Sequence, residues 1–280
     1  MDTDRALLSA SRKGGPAVLR HARWRSSAAL VAVAASALVS ASGCPRPEPR
    51  RRVLRIAAAA DLRPALDSVV EGFRRGNPAV EVSPTYGSSG GFYEQIRSGA
   101  PFDVFLSANL DYPRRLLQAK IGASDSLFLY AVGSIAVWVR VDSGLDPATV
   151  LRNRSLRKLA IANPEHAPYG RAALAALRSL GVYDALRDKL VLGENVSQAL
   201  EFARSGAADA AIVAHSLVSA PALNGVGRYW EIPAASYPRM DQAGLIVADS
   251  AEARAFCSFL VSPEARRTIV QFGFAAPGVR

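Results

Sequence analysis

From Val53 onward the chain repeats one grammar: a short apolar run, a turn of small residues, then a helical pattern. "VLRIAAAA" gives way to "DLRPALDSVVEGFRRGNP", where Leu62, Leu66, Val69, Val70 and Phe73 fall at helical spacing before Gly76 and Pro78 stop the run. "VEVSPTY" then leads through a turn of glycines and serines into "GFYEQIRSG", and "FDVFLSAN" into "LDYPRRLLQAK". The middle of the chain follows the same plan. "SIAVWVRV" reads as a strand, "LAIANPEHAPYG" as a strand and turn before the helix "RAALAALRSLG", and "KLVLGENVSQALEFARSG" and "DAAIVAHSLVSAP" as two further units. "AGLIVAD" is a last strand before the helical "SAEARAFCSFLVSPEARRTIVQFGF". Alternation at this length implies an α/β protein with a parallel sheet covered on both faces. Ligands in such sheets bind beyond the carboxyl ends of the strands. No short-period repeat is present, which sets solenoids aside. Two similar lobes, with the C-terminal segment returning to the first, satisfy the pattern, and so does one long doubly wound sheet.

The net charge of +10 suggests nucleic acid until it is divided along the chain. Residues 1–43 carry six Lys/Arg against two acidic residues, and 44–52 carry four Arg against one Glu. That leaves 24 basic and 21 acidic residues in 53–280, a net charge of +3, so the body gives no case for a nucleic-acid partner. The first segment has the features of a signal peptide instead. Arg20, Arg23 and Arg25 precede the apolar, small-residue run "AALVAVAASALVSASG", which is short for a bilayer span and ordinary for a secretory core. It ends in "ASGC", so Cys44 stands where a lipobox places a lipidated cysteine, with Ala41 departing from the usual leucine. Residues 1–43 are expected to be a lipoprotein-type signal peptide. "CPRPEPRRR" (44–52) is expected to be an extended tether whose arginines can lie against anionic headgroups. Cys257, within "AFCSFL", reads as a small buried core residue.

Gly87, Ser89 and Gly91 spell G-x-S-x-G between a strand and a helix, the setting of a hydrolase nucleophile elbow. A serine hydrolase also needs a histidine after the last core strand, whereas His166 and His215, the two in the body, sit in turns mid-chain. There is no phosphate-binding or dinucleotide-binding glycine motif and no zinc spacing. What recurs is the small-residue turn at a helix start, near Asp61, near Ser89, after "APYG", after "GEN" and after "AHS". Helix N-termini expose unpaired N–H groups and the positive end of a dipole, so several converging on one cleft can hold a small dianion with neutral donors.

The segments "LRIAAAADLRPAL", "YGSSGGFYEQIRSGAPFDVFLSAN", "ANPEHAPYGRAALAAL", "GENVSQALEFARSGAADAAIV" and "FLVSPEARRTIVQFGF" resemble, in order, the periplasmic molybdate-binding proteins of ABC import systems. The resemblance runs from about Val53 to Phe274 and implies the type II periplasmic binding protein fold: two α/β lobes joined by two crossovers, closing on an oxyanion. It implies lobe I over 53–131 plus 237–280 and lobe II over 132–236. The implied protein is a non-enzymatic binder of molybdate, and of tungstate, without a cofactor. It would be a monomer on the periplasmic side of a bacterial membrane, lipid-anchored through Cys44, delivering its ligand to an ABC permease and its ATPase. Sulfate is the near alternative ligand. The family's anion donors fall on Ser89 with Ser88 beside it, on the backbone of Tyr169 and on the backbone of Val196. Two positions depart from the family pattern: Asp61 replaces a serine, and Ala214, followed by His215, replaces a tyrosine. Asp61 is expected either to cap its own helix, accepting from Arg63 N–H, or to contact the anion, with Arg63 and His215 offsetting its charge. His215 is expected to stand at a helix start or to donate to the anion.

Overall fold

The computed structural model describes residues 52–278. The leader expected over 1–43, Cys44 and the tether as far as Arg51 lie outside the described residues. Lobe I begins with β1 (Arg52–Ala59), which a single 3-10 turn (Ala60–Leu62) connects to α1 (Arg63–Gly76). Next come β2 (Val80–Gly87), α2 (Ser89–Arg97), β3 (Val104–Ser107), α3 (Asp111–Gln118) and β4 (Phe128–Gly133). Lobe II holds β5 (Ile135–Arg140), β6 (Leu159–Ala162), α4 (Pro168–Ser179), α5 (Tyr183–Leu186), β7 (Leu190–Gly193) and α6 (Val196–Arg204). It ends with β8 (Ala210–Ala214), α7 (His215–Val218) and β9 (Gly227–Glu231). The chain then returns through β10 (Met240–Ile246), α8 (Ala251–Leu260) and α9 (Pro263–Gln271).

The described residues form two five-stranded sheets, ordered β2-β1-β3-β10-β4 and β7-β6-β8-β5-β9. The two-lobe reading of the pattern therefore holds. The expectation of a parallel sheet needs correction, because in each sheet one strand, β10 or β5, runs antiparallel to its neighbours on both sides, between a parallel trio and an edge strand that runs with the trio. The reason is the route of the chain. Strands of the parallel trios run toward the junction of the lobes, whereas β5 and β10 enter from the other lobe at that junction and run away from it. Only Ser134 separates β4 from β5, and Ile232–Arg239 links β9 to β10.

Register brings the turns together. Ala59 pairs with Gly87 at the ends of β1 and β2, and Ala162 with Gly193 at the ends of β6 and β7, so neighbouring turns leave each sheet side by side. In lobe I, β1 alternates. Leu54, Ile56 and Ala58 face Phe73, Tyr130 and Phe256, while Ala57 faces Phe92, Phe105 and Leu116 on the other side. The lobe II core around Trp138, Ile161 and Leu177 extends to Ala59, Ala60 and Ala108 of lobe I, where small side chains let the two bodies meet closely. The C-terminal helical run breaks where Ser262 Oγ accepts from Ala265 N–H and Pro263 opens α9. Cys257 is buried in the lobe I core, and burial pushes its thiol up to about 12, as suits an inert core residue. Among the described residues no helix is long and apolar enough to cross a membrane.

Candidate functional site

Turns from the two lobes line one small, tight cavity. Ala59 to Asp61 and Gly87 to Ser89 line it from lobe I together with Ala108, and Ala167 to Tyr169 with Asn195 and Val196 line it from lobe II. These residues lie at or just beyond the carboxyl ends of strands. No Lys or Arg is among them.

Helix capping determines which donors face this space, because the first-turn N–H groups have no partner inside their own helix. At α2, Ser88 Oγ accepts from Gly91 N–H (3.3 Å) and the His166 carbonyl accepts from Gly90 N–H (2.9 Å). The N–H of Ser89 is taken by neither. At α4, Pro168 has no N–H, and the Ala167 carbonyl accepts from Gly170 and Arg171. The N–H of Tyr169 is left. At α6, Asn195 Oδ1 accepts from Ser197 and Gln198 (3.0 and 3.1 Å), which leaves that of Val196. Three helix starts thus each leave one N–H at a buried residue lining the same cavity. The Ser89 hydroxyl adds a fourth donor: its oxygen accepts from Ala108 N–H (2.9 Å), so its hydrogen is free to point elsewhere.

The lobes are held closely together around the cavity. Tyr112 Oη donates to the His166 carbonyl (3.3 Å), Ser197 Oγ to the Ala60 carbonyl (3.2 Å) and Ser216 Oγ to the Asp61 carbonyl (2.9 Å). Ser88 Oγ meets His166 Nδ1 at 3.0 Å, with Glu194 3.5 Å from the other ring nitrogen. Gly90 is needed at this junction, since a Cβ there would lie 2.8 Å from His166 Cβ and closer still to the His166 carbonyl oxygen.

Asp61 is the one acidic group on the wall, and it is 1 % exposed. Its Oδ2 accepts from Tyr169 Oη (2.9 Å) and Gln242 Nε2 (2.6 Å), and Gln242 also donates to Tyr169 Oη (3.1 Å). Its Oδ1 has no hydrogen-bond partner among the described residues, and neither has Gln242 Oε1. Burial pushes the carboxyl up to about 6 against the opposing pull of the Gln242 and Tyr169 hydrogen bonds and, more weakly, of the main-chain N–H groups of Asp61 and Leu62. Burial and the neighbouring Asp61 together hold the Tyr169 phenol well above its ordinary value. Among the described residues no cluster of His, Cys, Asp and Glu can hold a metal ion.

A small cavity whose wall gathers main-chain N–H groups and a serine hydroxyl, with no basic side chain, can surround an anion with neutral donors. A model of the bacterial extracellular solute-binding protein family matches residues 54–275. The chain belongs to that family. It is 38% identical over 196 residues to the molybdate-binding protein ModA of Rhodobacter capsulatus, covering 69% of this chain and 77% of the relative. It is 33% identical over 225 residues to ModA of Azotobacter vinelandii, covering 79% of this chain and 89% of the relative. The solved structure of the Azotobacter vinelandii periplasmic molybdate-binding protein superposes with a TM-score of 0.75 at 31% identity, covering 80% of this chain and 99% of that one.

In this solute-binding protein, Asp61, Ser88, Ser89, Tyr169 and Val196 come together on one cavity wall. His215 does not. Its ring lies in a separate groove with Glu231 (3.1 Å) and Tyr229 (3.4 Å), because at the start of α7 its side chain turns away from the cavity. The expectation of a histidine donor to the anion is therefore corrected. So is the expected helix cap. Asp61 sits inside the 3-10 turn, and neither that turn nor α1 has a side-chain cap. Arg63 and His215 do not offset its charge either, since Arg63 lies over the Tyr86 ring, 4.1 Å from its centroid. The hydrolase alternative loses its geometry, because the histidine of the cleft meets Ser88 rather than Ser89.

Sequence reasoning missed Gln242, the Tyr169 side chain and Asn195. Gln242 stood at the edge of the apolar run that marks β10, and a buried polar residue beside such a run was the available signal. Asn195 could have been read as an N-cap from "GENVSQ".

Proposed function

We propose that this solute-binding protein captures molybdate, and tungstate with it, on the periplasmic side of a bacterial membrane and delivers it to an ABC permease driven by its ATPase. The observation that carries the reading is the convergence of the spare N–H groups of Ser89, Tyr169 and Val196 with the Ser89 hydroxyl on one buried cavity that no basic residue lines. Helix-start dipoles and neutral donors stabilise a dianion without the cost of an ion pair, provided that water is excluded. The relatives named as molybdate-binding proteins support the choice of ligand. The role is capture without catalysis. Closure is favoured because the anion touches both lobes only in the closed form.

The division expected from sequence, with lobe I over 53–131 plus 237–280 and lobe II over 132–236, fits a hinge at the two crossovers. The described body is then a monomeric carrier, tethered by residues 44–52 to a lipid on Cys44. Selectivity among oxyanions of like charge comes from cavity size, since all offer similar acceptors. Titration calorimetry of the full chain with molybdate, tungstate, sulfate and phosphate tests the reading. Tight binding of molybdate or tungstate with weak or no binding of sulfate is expected. No heat with either metal oxyanion at micromolar protein would overturn it.

A further inference from the structure

Asp61 is hard to reconcile with a dianion next to it. Its Oδ2 is already used by two donors, and its Oδ1 is buried without a partner. The groups that face it come from several elements. Tyr169 projects from α4, Tyr130 from β4 and Gln242 from β10, with Tyr237 beyond Tyr169. Ser216 at α7 engages the main-chain carbonyl of Asp61 rather than its carboxyl. All these neighbours are neutral near neutral pH. The basic side chains around the cleft are engaged away from Asp61: Arg63 stacks on Tyr86, the His166 ring sits between Ser88 and Glu194, and the His215 ring meets Glu231. The main-chain N–H groups of Asp61 and Leu62 also favour its charged form, so an ionised Asp61 would be a buried charge held by neutral donors alone, and a bound dianion would repel it further.

One change removes both costs. A proton on Oδ1 turns the orphaned acceptor into a donor while leaving Oδ2 to accept from Tyr169 and Gln242. We propose that Asp61 serves the loaded site as a neutral carboxylic acid whose Oδ1–H donates to the oxyanion, so that each dianion is captured together with one proton. This rests on the oxyanion-binding reading above and adds a specificity-determining residue to it. The proton comes from solvent and adds to the carboxylate oxygen, no bond of the oxyanion is made or broken, and nothing is oxidised or reduced. Burial already moves the carboxyl in this direction before any anion arrives, up to about 6.

The sign of the linkage follows. Above the ligand-free value near 6, and below the higher value that the bound anion imposes, the complex holds one more proton than the free protein. In that window affinity falls as pH rises, by about tenfold per pH unit for one proton, and below it affinity levels off. The test is titration calorimetry of the full chain with molybdate and tungstate at pH 6, 7 and 8, each in two buffers of different ionisation enthalpy. Wild type is expected to weaken by close to tenfold from pH 7 to pH 8 and to take up about one proton per anion at pH 8. Asp61→Asn carries an amide donor and no titrating proton, and is expected to lose both the slope and the uptake. Binding by wild type that is flat with pH and takes up no proton would overturn the proposal and leave oxyanion capture standing. So would an Asp61→Asn protein with the wild-type slope. Absence of binding at every pH would overturn capture itself, and this proposal with it. If Asp61→Asn fails to fold, the proton count on wild type still decides.

Discussion

The two lobes share one sheet plan, but they furnish the cavity with different parts of the chain. Lobe I contributes side chains as well as backbone: the Ser89 hydroxyl held by Ala108 N–H, the Ser88 cap and the Asp61 carboxyl. Lobe II contributes mainly backbone, through the first-turn N–H groups of Tyr169 and Val196, while its side chains Tyr169, Ser197, Ser216 and His166 hold the lobes together. The two walls should therefore respond differently to substitution. A lobe I residue can be disarmed by truncation, whereas a lobe II donor survives any side-chain change that keeps its N–H and its helix start.

The largest effect should come from preventing the walls from meeting. A side chain at Gly90 runs into the His166 carbonyl and the Tyr112 hydroxyl, and backbone cannot yield as a flexible side chain can. Gly90→Val is expected to leave lobe I folded and to cost roughly 3 kcal/mol of binding, on the order of a hundredfold in Kd by calorimetry. Retained affinity would mean that capture does not require this approach of the lobes. Next comes Ser89→Ala, which removes a hydroxyl whose oxygen is held and whose hydrogen is free. A loss of about 1–3 kcal/mol in anion affinity is expected for a buried bond to charge. An unchanged Kd would remove Ser89 from the contacts and place the whole burden on backbone.

Lobe II is tested by a pair of substitutions at one position. Val196 is the first residue of α6, where proline is tolerated because the N–H has no helical partner, and Asn195 before it is already extended (φ −146°, ψ 177°). Val196→Pro deletes the proposed donor with little cost to the helix and is expected to weaken binding by about 1–2 kcal/mol. Val196→Ala keeps the donor. It should cost roughly 1 kcal/mol of stability, read from thermal unfolding, with Kd changed no more than about twofold. If Ala and Pro weakened binding equally, the side chain rather than the amide would be the contact, and the contrast between the lobes would fail.

Much of this contrast was legible in the sequence, since helix starts after apolar strands are local features and capping residues announce them. The parallel trios could be read because most of their strands are apolar runs and each ends in a turn, as in "LRIAAAAD" and "DAAIVAHS". β4 and β9 could not. They are edge strands with mixed burial, and exposed Arg228 and Tyr229 interrupt the alternation of β9. The antiparallel pairing of β5 and β10 depends on where the chain crosses between lobes, which no local pattern records. Asp61 was recognisable as an anomaly, but its partners Tyr169 and Gln242 lie 108 and 181 residues away in sequence. A short-range cap was the local reading of a residue whose role is set by long-range contacts.

The smallest effect should be found at His215, and it separates two openings of very different character. The groove that holds this ring is much roomier than the donor-lined cavity, and its wall includes Glu231, Arg239 and Tyr237. An anion stripped of water needs donor density rather than room, and the larger opening places a carboxylate beside the histidine, 3.1 Å away. The pair is partly solvated, with Glu231 57% exposed at its side chain, so its contribution to stability is at most about 1 kcal/mol. His215→Ala is therefore expected to bind molybdate within about twofold of wild type, with only a small shift in thermal unfolding. A loss comparable with that of Ser89→Ala would bring the groove into the binding site and undo the assignment of the anion to the donor-lined cavity.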